Sequence, residues 1–278
     1  EWLQSLHCLS MSNEIKSRFL ENKCLIDSSH NIELQKLYYC DILDKFSTLN
    51  DDVTFNIILK EFNEFNTNFL MSVPPDDVQK SGLWKFWPLT NRLNSFEIEG
   101  NKFKCIDFFK KTYNIVKKID PENILSLGFS VLQPGCELNA HTGYHNNMPH
   151  NTVFRLHLPI IVPDHKQGDL GMYIYENIDE PGYGPAITKP TRTINWNKGE
   201  LIVFDDSYKH VAWNNTKEPR VVLLIDYIHR TKINKYYTTR SPLTGEIESI
   251  EKVARDFFNF LWDEINRLNY VQESIDET

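Results

Sequence analysis

The first 73 residues contain neither glycine nor proline, and this divides the chain before any motif is considered. A stretch of that length without backbone breakers favours helix. Leu34, Leu37, Tyr38, Ile42 and Phe46 recur at helical spacing, as do Phe55, Leu59, Phe62 and Phe69. Pro74-Pro75-Asp76-Asp77 then ends the helical part.

From Leu125 to Arg230 the texture changes. Most of the glycines lie here, between short segments that alternate or run apolar. Strands are expected near Ile124–Gln133, Thr152–Val162, Met172–Glu176, Thr191–Asn195, Glu200–Phe204, His210–Asn214 and Arg220–His229. Many short strands separated by Gly, Pro and Asn turns imply a β-sandwich or barrel. After Pro242 a helical period returns through Ile250, Val253, Phe257, Leu261, Ile265 and Leu268. The expected organisation is a helical segment over 1–75, a β domain over 76–235 and a closing helix over 236–278. Trp84 and Trp87, near Pro88, are expected to pack in the core or at its rim.

Composition narrows the partners. A net charge of −8 disfavours broad binding to nucleic acid or an anionic membrane, leaving room for a local basic pocket. No apolar run reaches membrane-spanning length and no signal-peptide pattern is present. The five cysteines, an odd number without a Cys-X-X-Cys pair, are expected to be free thiols, which favours a reducing, cytoplasmic setting. The chain begins with Glu1 rather than Met, as expected of a processed or excised chain. The sequon Asn214-Asn215-Thr216 falls in a turn and is read as chance.

The candidate chemistry lies in the β region. His141-Thr142-Gly143 and His210 are set about seventy residues apart, each near a strand end. Arg220 follows His210 by ten positions, across an apparent hairpin. Two imidazoles at the mouth of a barrel can hold iron and leave other positions open. A lone histidine is more commonly a surface or hydrogen-bonded core residue, so the surrounding set decides. Arg220 leads into Val221-Val222-Leu223-Leu224-Ile225, and a cation there is costly to bury unless an anion meets it. A surface salt bridge to Glu200 is the alternative. Arg155 and His157 share one strand face, with Phe154, Leu156 and Leu158 on the other. That pattern suits either a polar cavity or a solvated sheet face. Ser130, on the strand leading to His141, can donate a hydrogen bond to a carboxylate.

These residues resemble the aspartyl/asparaginyl β-hydroxylase family of iron(II)- and 2-oxoglutarate-dependent dioxygenases. The likeness runs over roughly residues 84–230. It rests on Phe129-Ser130, Pro134-Gly135, His141-Thr142-Gly143, Asn151, Arg155-Leu156-His157-Leu158, Trp196, Gly199, Phe204-Asp205-Asp206-Ser207, His210, Arg220, Asp226 and His229. The resemblance implies a mainly β core folded as a double-stranded β-helix (jelly-roll, cupin-like) with flanking helices. It also implies iron held by His141 and His210 alone, with Gly143 where other iron oxygenases carry a carboxylate. Arg220 and Ser130 would hold the distal carboxylate of 2-oxoglutarate, with Arg155 and His157 at its other end; Asp206 is expected to orient His210 or a water rather than to be a ligand. The cofactors implied are Fe(II), 2-oxoglutarate and O2.

The implied reaction is hydroxylation of an unactivated C–H. The first substrate expectation is the β-carbon of an Asp or Asn residue, in a peptide, protein or small amino-acid-type molecule. Alternatives are another small molecule or acyl chain, a halogenase using the space at Gly143, and a non-catalytic binding protein that keeps the fold. Two longer segments, Tyr144–His150 and the stretch between Asp169 and Thr191, depart from the family pattern and are expected at the site mouth.

Overall fold

The computed structural model describes residues 32–65, 78–89, 101–143, 153–177, 186–228 and 246–249, together with residues 67, 71–72, 96–98, 238–240, 243–244, 252 and 256. Residues 1–31, the Tyr144–His150 segment, Asn151, His229 and nearly all of the expected closing helix lie outside the described residues.

The described helices are α1 (Ile32–Lys45), α2 (Asp52–Glu64) and α3 (Lys110–Ile119), with a 3-10 turn at Ser47–Asn50. Tyr38, Ile42 and Phe46 of the expected stripe are buried on α1, and Ile58 and Phe62 on α2. Asp51 caps α2 by accepting the Val53 N–H at 2.9 Å. Helix α2 stops at Glu64, well short of Pro74. Helix α3 was not anticipated from the sequence. Its first turn is capped from outside, because the Glu61 carboxylate accepts the N–H groups of Lys111 and Thr112.

Among the described residues the strands are, in chain order, β1 (Met71–Ser72), β2 (Gln79–Ser81), β3 (Trp84–Pro88), β4 (Phe96–Ile98), β5 (Asn101–Phe103), β6 (Ile124–Leu132), β7 (Cys136–Leu138), β8 (Val153–Ile161), β9 (Leu170–Tyr175), β10 (Arg192–Ile194), β11 (Ile202–Asp205), β12 (Lys209–Asn214), β13 (Arg220–Ile228), β14 (Thr238–Arg240) and β15 (Ile247–Ser249). The seven expected strands are all present, each shifted by no more than about two residues. Trp84 and Trp87 turn out to lie on a strand, β3, not foreseen as one. The β14–β15 ribbon occupies residues expected to be helical, with Pro242 and Gly245 between its strands. Lys252 and Asp256 beyond it are helical.

Two antiparallel sheets form the core. One runs β1-β3-β6-β13-β8-β11 and the other β10-β9-β12-β7-β2. From β6 to β13 the chain passes repeatedly between the sheets, so neighbours in sequence are seldom neighbours in a sheet. This is the double-stranded β-helix. The connection from β12 to β13 therefore is not the hairpin that Asn215 to Pro219 suggests. β12 pairs with β7 and β9, while β13 pairs with β6 and β8. Asn214 holds this crossover. Its side chain donates to the Leu132 and Glu218 carbonyls and accepts from Thr216, and it is fully buried, so the sequon asparagine carries no free amide.

The six-stranded sheet is covered on one face by the helices. Phe129 meets Phe62 and Phe109 with ring centroids 5.0 and 4.6 Å apart, and Phe154 meets Tyr38 and Tyr39 edge-on. Its other face looks into the space between the sheets, where Leu125, Leu132, Val222 and Leu224 join Met172, Ile174 and Ala212 of the second sheet. Cys105 and Cys136 are buried free thiols and Cys40 an exposed one.

Candidate active site

The period-two alternation of β8 sends Phe154, Leu156 and Leu158 into the helix-backed core and Arg155 and His157 into the cavity between the sheets. The solvated-face alternative is thereby excluded. That cavity is lined by Ser130, His141, Arg155, His157, His210 and Arg220, the six residues expected to act together. Trp84, Leu132, Leu138, Met172, Phe204, Ala212 and Leu224 complete its walls.

His141 and His210 are direct cross-strand neighbours. Each accepts the other's backbone N–H, at 2.7 and 2.9 Å, and their ring centroids lie 4.3 Å apart. The Nδ1 of His141 is 2.7 Å from the Asn139 carbonyl, and that of His210 is 2.9 Å from the Tyr208 carbonyl. A carbonyl only accepts, so Nδ1 carries the proton in both rings and each Nε2 keeps a bare lone pair. Burial holds both rings neutral, pushing His141 well below the ordinary histidine range and His210 down to about 4. Neutral rings with free Nε2 atoms are the form a metal binds.

Gly143 follows on the next turn. A Cβ there would overlap the Asp206 carboxylate, and the Gly143 N–H donates to the Asp206 carbonyl at 2.9 Å. The space of the missing side chain is thus filled by a carboxylate from another part of the chain. Asp206 Oδ1 lies 2.8 Å from Arg155 Nη1 and 3.8 Å from His210 Nε2. Among the described residues, no group of three or more His, Cys, Asp or Glu side chains has ligand geometry.

Arg155 also meets Asp226, through Nε at 2.7 Å and Nη2 at 3.3 Å. Its guanidinium is thus held between two carboxylates, Asp206 and Asp226. His157 differs from the other histidines. The Trp196 indole donates to its Nδ1 at a long 3.4 Å, which leaves the His157 proton on Nε2. Burial and the nearby Arg220 push His157 well below the ordinary range, so it is a neutral donor. Ser130 Oγ accepts the Trp84 indole N–H at 3.0 Å and keeps its own proton to donate.

Arg220 is buried with donors to spare. It is 2% exposed, and its Nε and Nη1 have no hydrogen-bond partner. The expected alternative partner, Glu200, instead accepts from Asn197. The Arg220 guanidinium stacks 4.5 Å from the Trp196 ring. Burial pushes it down to about 9, so it stays charged at neutral pH. A buried cation with idle donors in a cavity calls for an anion there.

The family model for aspartyl/asparaginyl beta-hydroxylase matches residues 54–230. The chain belongs to that family. All six cavity residues lie inside the match, whereas α1 precedes it. The ornithine lipid ester-linked acyl 2-hydroxylase of Rhizobium tropici is 36% identical over 121 residues, covering 44% of this chain and 35% of that protein. The aspartyl/asparaginyl beta-hydroxylase of Mus musculus is 26% identical over 101 residues, 36% of this chain and 10% of that one. The matched region thus spans about a third or less of the length of these relatives. Among solved structures, a Pseudomonas putida prolyl-4-hydroxylase is similar with a TM-score of 0.39 at 9% identity, over 64% of this chain and 88% of that one.

The sequence did not single out Trp84, Trp196 or Asp226 as site residues. Trp196 and Asp226 belong to the residues that carry the family resemblance, and that is the signal that could have promoted them. Trp84 offers no such signal, because its indole reaches Ser130 only through β3–β6 pairing.

Proposed function

We propose that this protein is an iron(II)- and 2-oxoglutarate-dependent hydroxylase of unactivated C–H bonds. The observation that carries the reading is the buried, unpaired Arg220 guanidinium in the same cavity as two neutral histidines with bare Nε2 atoms. His141 and His210 would hold iron. Arg220 and Ser130 would take the distal carboxylate of 2-oxoglutarate, using donors that have no other work. Arg155 and the His157 Nε2–H would meet its other end. When bound, iron with 2-oxoglutarate and O2 supplies the oxidising equivalent for oxygen insertion, with 2-oxoglutarate converted to succinate and CO2.

The rest of the site shapes that chemistry. Leu132, Leu138, Met172 and Leu224 make much of the cavity wall apolar, and such surroundings strengthen the pairing of Arg220 with an anion. Arg155, fixed by Asp226, holds Asp206 beside His210. Asp206 also bears on the halogenase alternative. The space at Gly143 is taken by an anionic carboxylate, which would repel a halide. The non-catalytic alternative would be favoured by a lost ligand or anchor, and all six residues are kept.

The first substrate class is the β-carbon of an Asp or Asn residue, as the family description suggests. The 36% identity to an acyl 2-hydroxylase favours a second, a fatty acyl chain oxidised next to its carbonyl. The test measures succinate formation under air with Fe(II) and ascorbate, with Asp- and Asn-containing peptides in one arm and acyl lipid in detergent micelles in the other. Turnover lost in His210→Ala and Arg220→Met is expected. A protein that binds neither Mn(II) nor 2-oxoglutarate would sink the reading.

A further inference from the structure

Strand β11 delivers Asp206 to the site, and it is the outermost strand of its sheet. Among the described residues one side of its backbone therefore has no strand partner, and an open edge is free to fray or slip. Three side chains stand in for the missing strand. Asn50 Oδ1 accepts the Leu201 N–H at 3.2 Å, Arg192 Nη2 donates to the Val203 carbonyl at 3.2 Å, and the Tyr39 hydroxyl accepts the Asp205 N–H at 3.2 Å. Residues 201, 203 and 205 have the two-residue spacing of one strand edge.

Two of these three partners come from the helical segment that precedes the family match at residue 54. Tyr39 is itself held in place. Its hydroxyl donates to Glu176 Oε1 at 3.1 Å, the same oxygen that accepts from Arg192 Nη1 at 3.1 Å. The Arg192 guanidinium lies 5.1 Å from the Tyr39 ring. Burial raises the Tyr39 phenol far above its ordinary value, so it keeps the proton that this double role needs. Immediately after the clamped Asp205 comes a tight turn. The Asp205 carboxylate accepts the Ser207 N–H and hydroxyl, and Asp206 points back to Arg155 and Gly143.

We propose that Tyr39 and Asn50 are positioning residues, a substitute strand edge by which the N-terminal helical segment sets the 205–207 turn, and so seats His210, with Asp206 beside it, for metal binding. The proposal rests on the two-histidine iron reading above. It assigns that segment a role in the site beyond covering the sheet.

The test uses the full chain and Mn(II), which needs no protection from air, with free Mn(II) read by electron paramagnetic resonance. Tyr39→Phe removes one oxygen and keeps the ring. It should weaken Mn(II) binding about tenfold, the lower end of the effect for groups that orient metal ligands. Asn50→Ala, which touches only the Leu201 N–H, should weaken it several-fold and carries the test if Tyr39→Phe does not fold. Lys45→Met is the control. Lys45 anchors the far end of the same helix to Asp120 and Tyr227, away from β11. It should lower the thermal midpoint while leaving Mn(II) binding within twofold of wild type. Wild-type Mn(II) affinity in both Tyr39→Phe and Asn50→Ala would overturn the proposal, as would a Lys45→Met loss equal to that of Tyr39→Phe. Absence of Mn(II) binding by the wild type would instead overturn the iron reading, and the proposal with it.

Discussion

Phe129 and Ser130 are adjacent on β6 and face opposite ways, and the two faces of that sheet obey different rules. The outer face is apolar and backed by α1, α2 and α3. Its polar neighbours are paired, as where Lys45, Asp120 and Tyr227 bond one another. The inner face near the site holds His157 and Arg220 out of water, and Arg220 is left with idle donors. The outer face stabilises the fold by removing apolar surface from water. The inner face carries desolvated charge that costs stability in the free protein and is repaid only when an anion arrives. One strand can do both because successive side chains never share a face.

The sharpest break of this contrast is a deletion on each side. Phe129→Ala, in a fully buried aromatic cluster, should lower unfolding free energy by about 3–5 kcal/mol in chemical denaturation. The affinity of the remaining folded protein for 2-oxoglutarate should not change. Arg220→Met should do the reverse. Calorimetry should show 2-oxoglutarate binding weakened about a hundredfold, as expected for losing hydrogen bonds to a charged group. The thermal midpoint of the ligand-free protein should rise, because a buried unpaired cation is gone. A lower midpoint would mean that Arg220 is structural.

Gly143→Ala probes where the faces meet the metal. The new methyl must displace Asp206, so Mn(II) affinity should fall about tenfold with a smaller stability loss than Phe129→Ala. The smallest effect is one of pH. Buried His141, His157 and His210 hold fewer protons folded than unfolded. Their neutral forms therefore contribute stability in full above about 6.5 in the metal-free protein. That contribution is lost as pH falls from there toward about 4, the value for His210. Denaturant midpoints at pH 7.5 and 5 should show this. His157→Phe should flatten the slope and Phe129→Ala should leave it intact.

Much of the site was legible because its signals are local. The order Phe154-Arg155-Leu156-His157-Leu158 states which residues turn inward, and the run after Arg220 states that this cation is buried. Helix α3 was passed over although Phe109, Thr112 and Val116 are buried at helical spacing. The turn after Asn214 was misjudged for a deeper reason. Its residues suit a hairpin, but the choice of partner strand belongs to β6 and β8, far away in the chain.

The strand and helix periods, and which side chains share a face, were already written in the chain. Those follow from backbone geometry over a few residues. Tertiary structure alone decided that His141 lies beside His210, that Asp206 fills the space at Gly143, and that Tyr39 reaches the edge of β11. Each is a contact between distant segments, set by which strands and helices can bury their apolar faces against one another, and no local period encodes that choice.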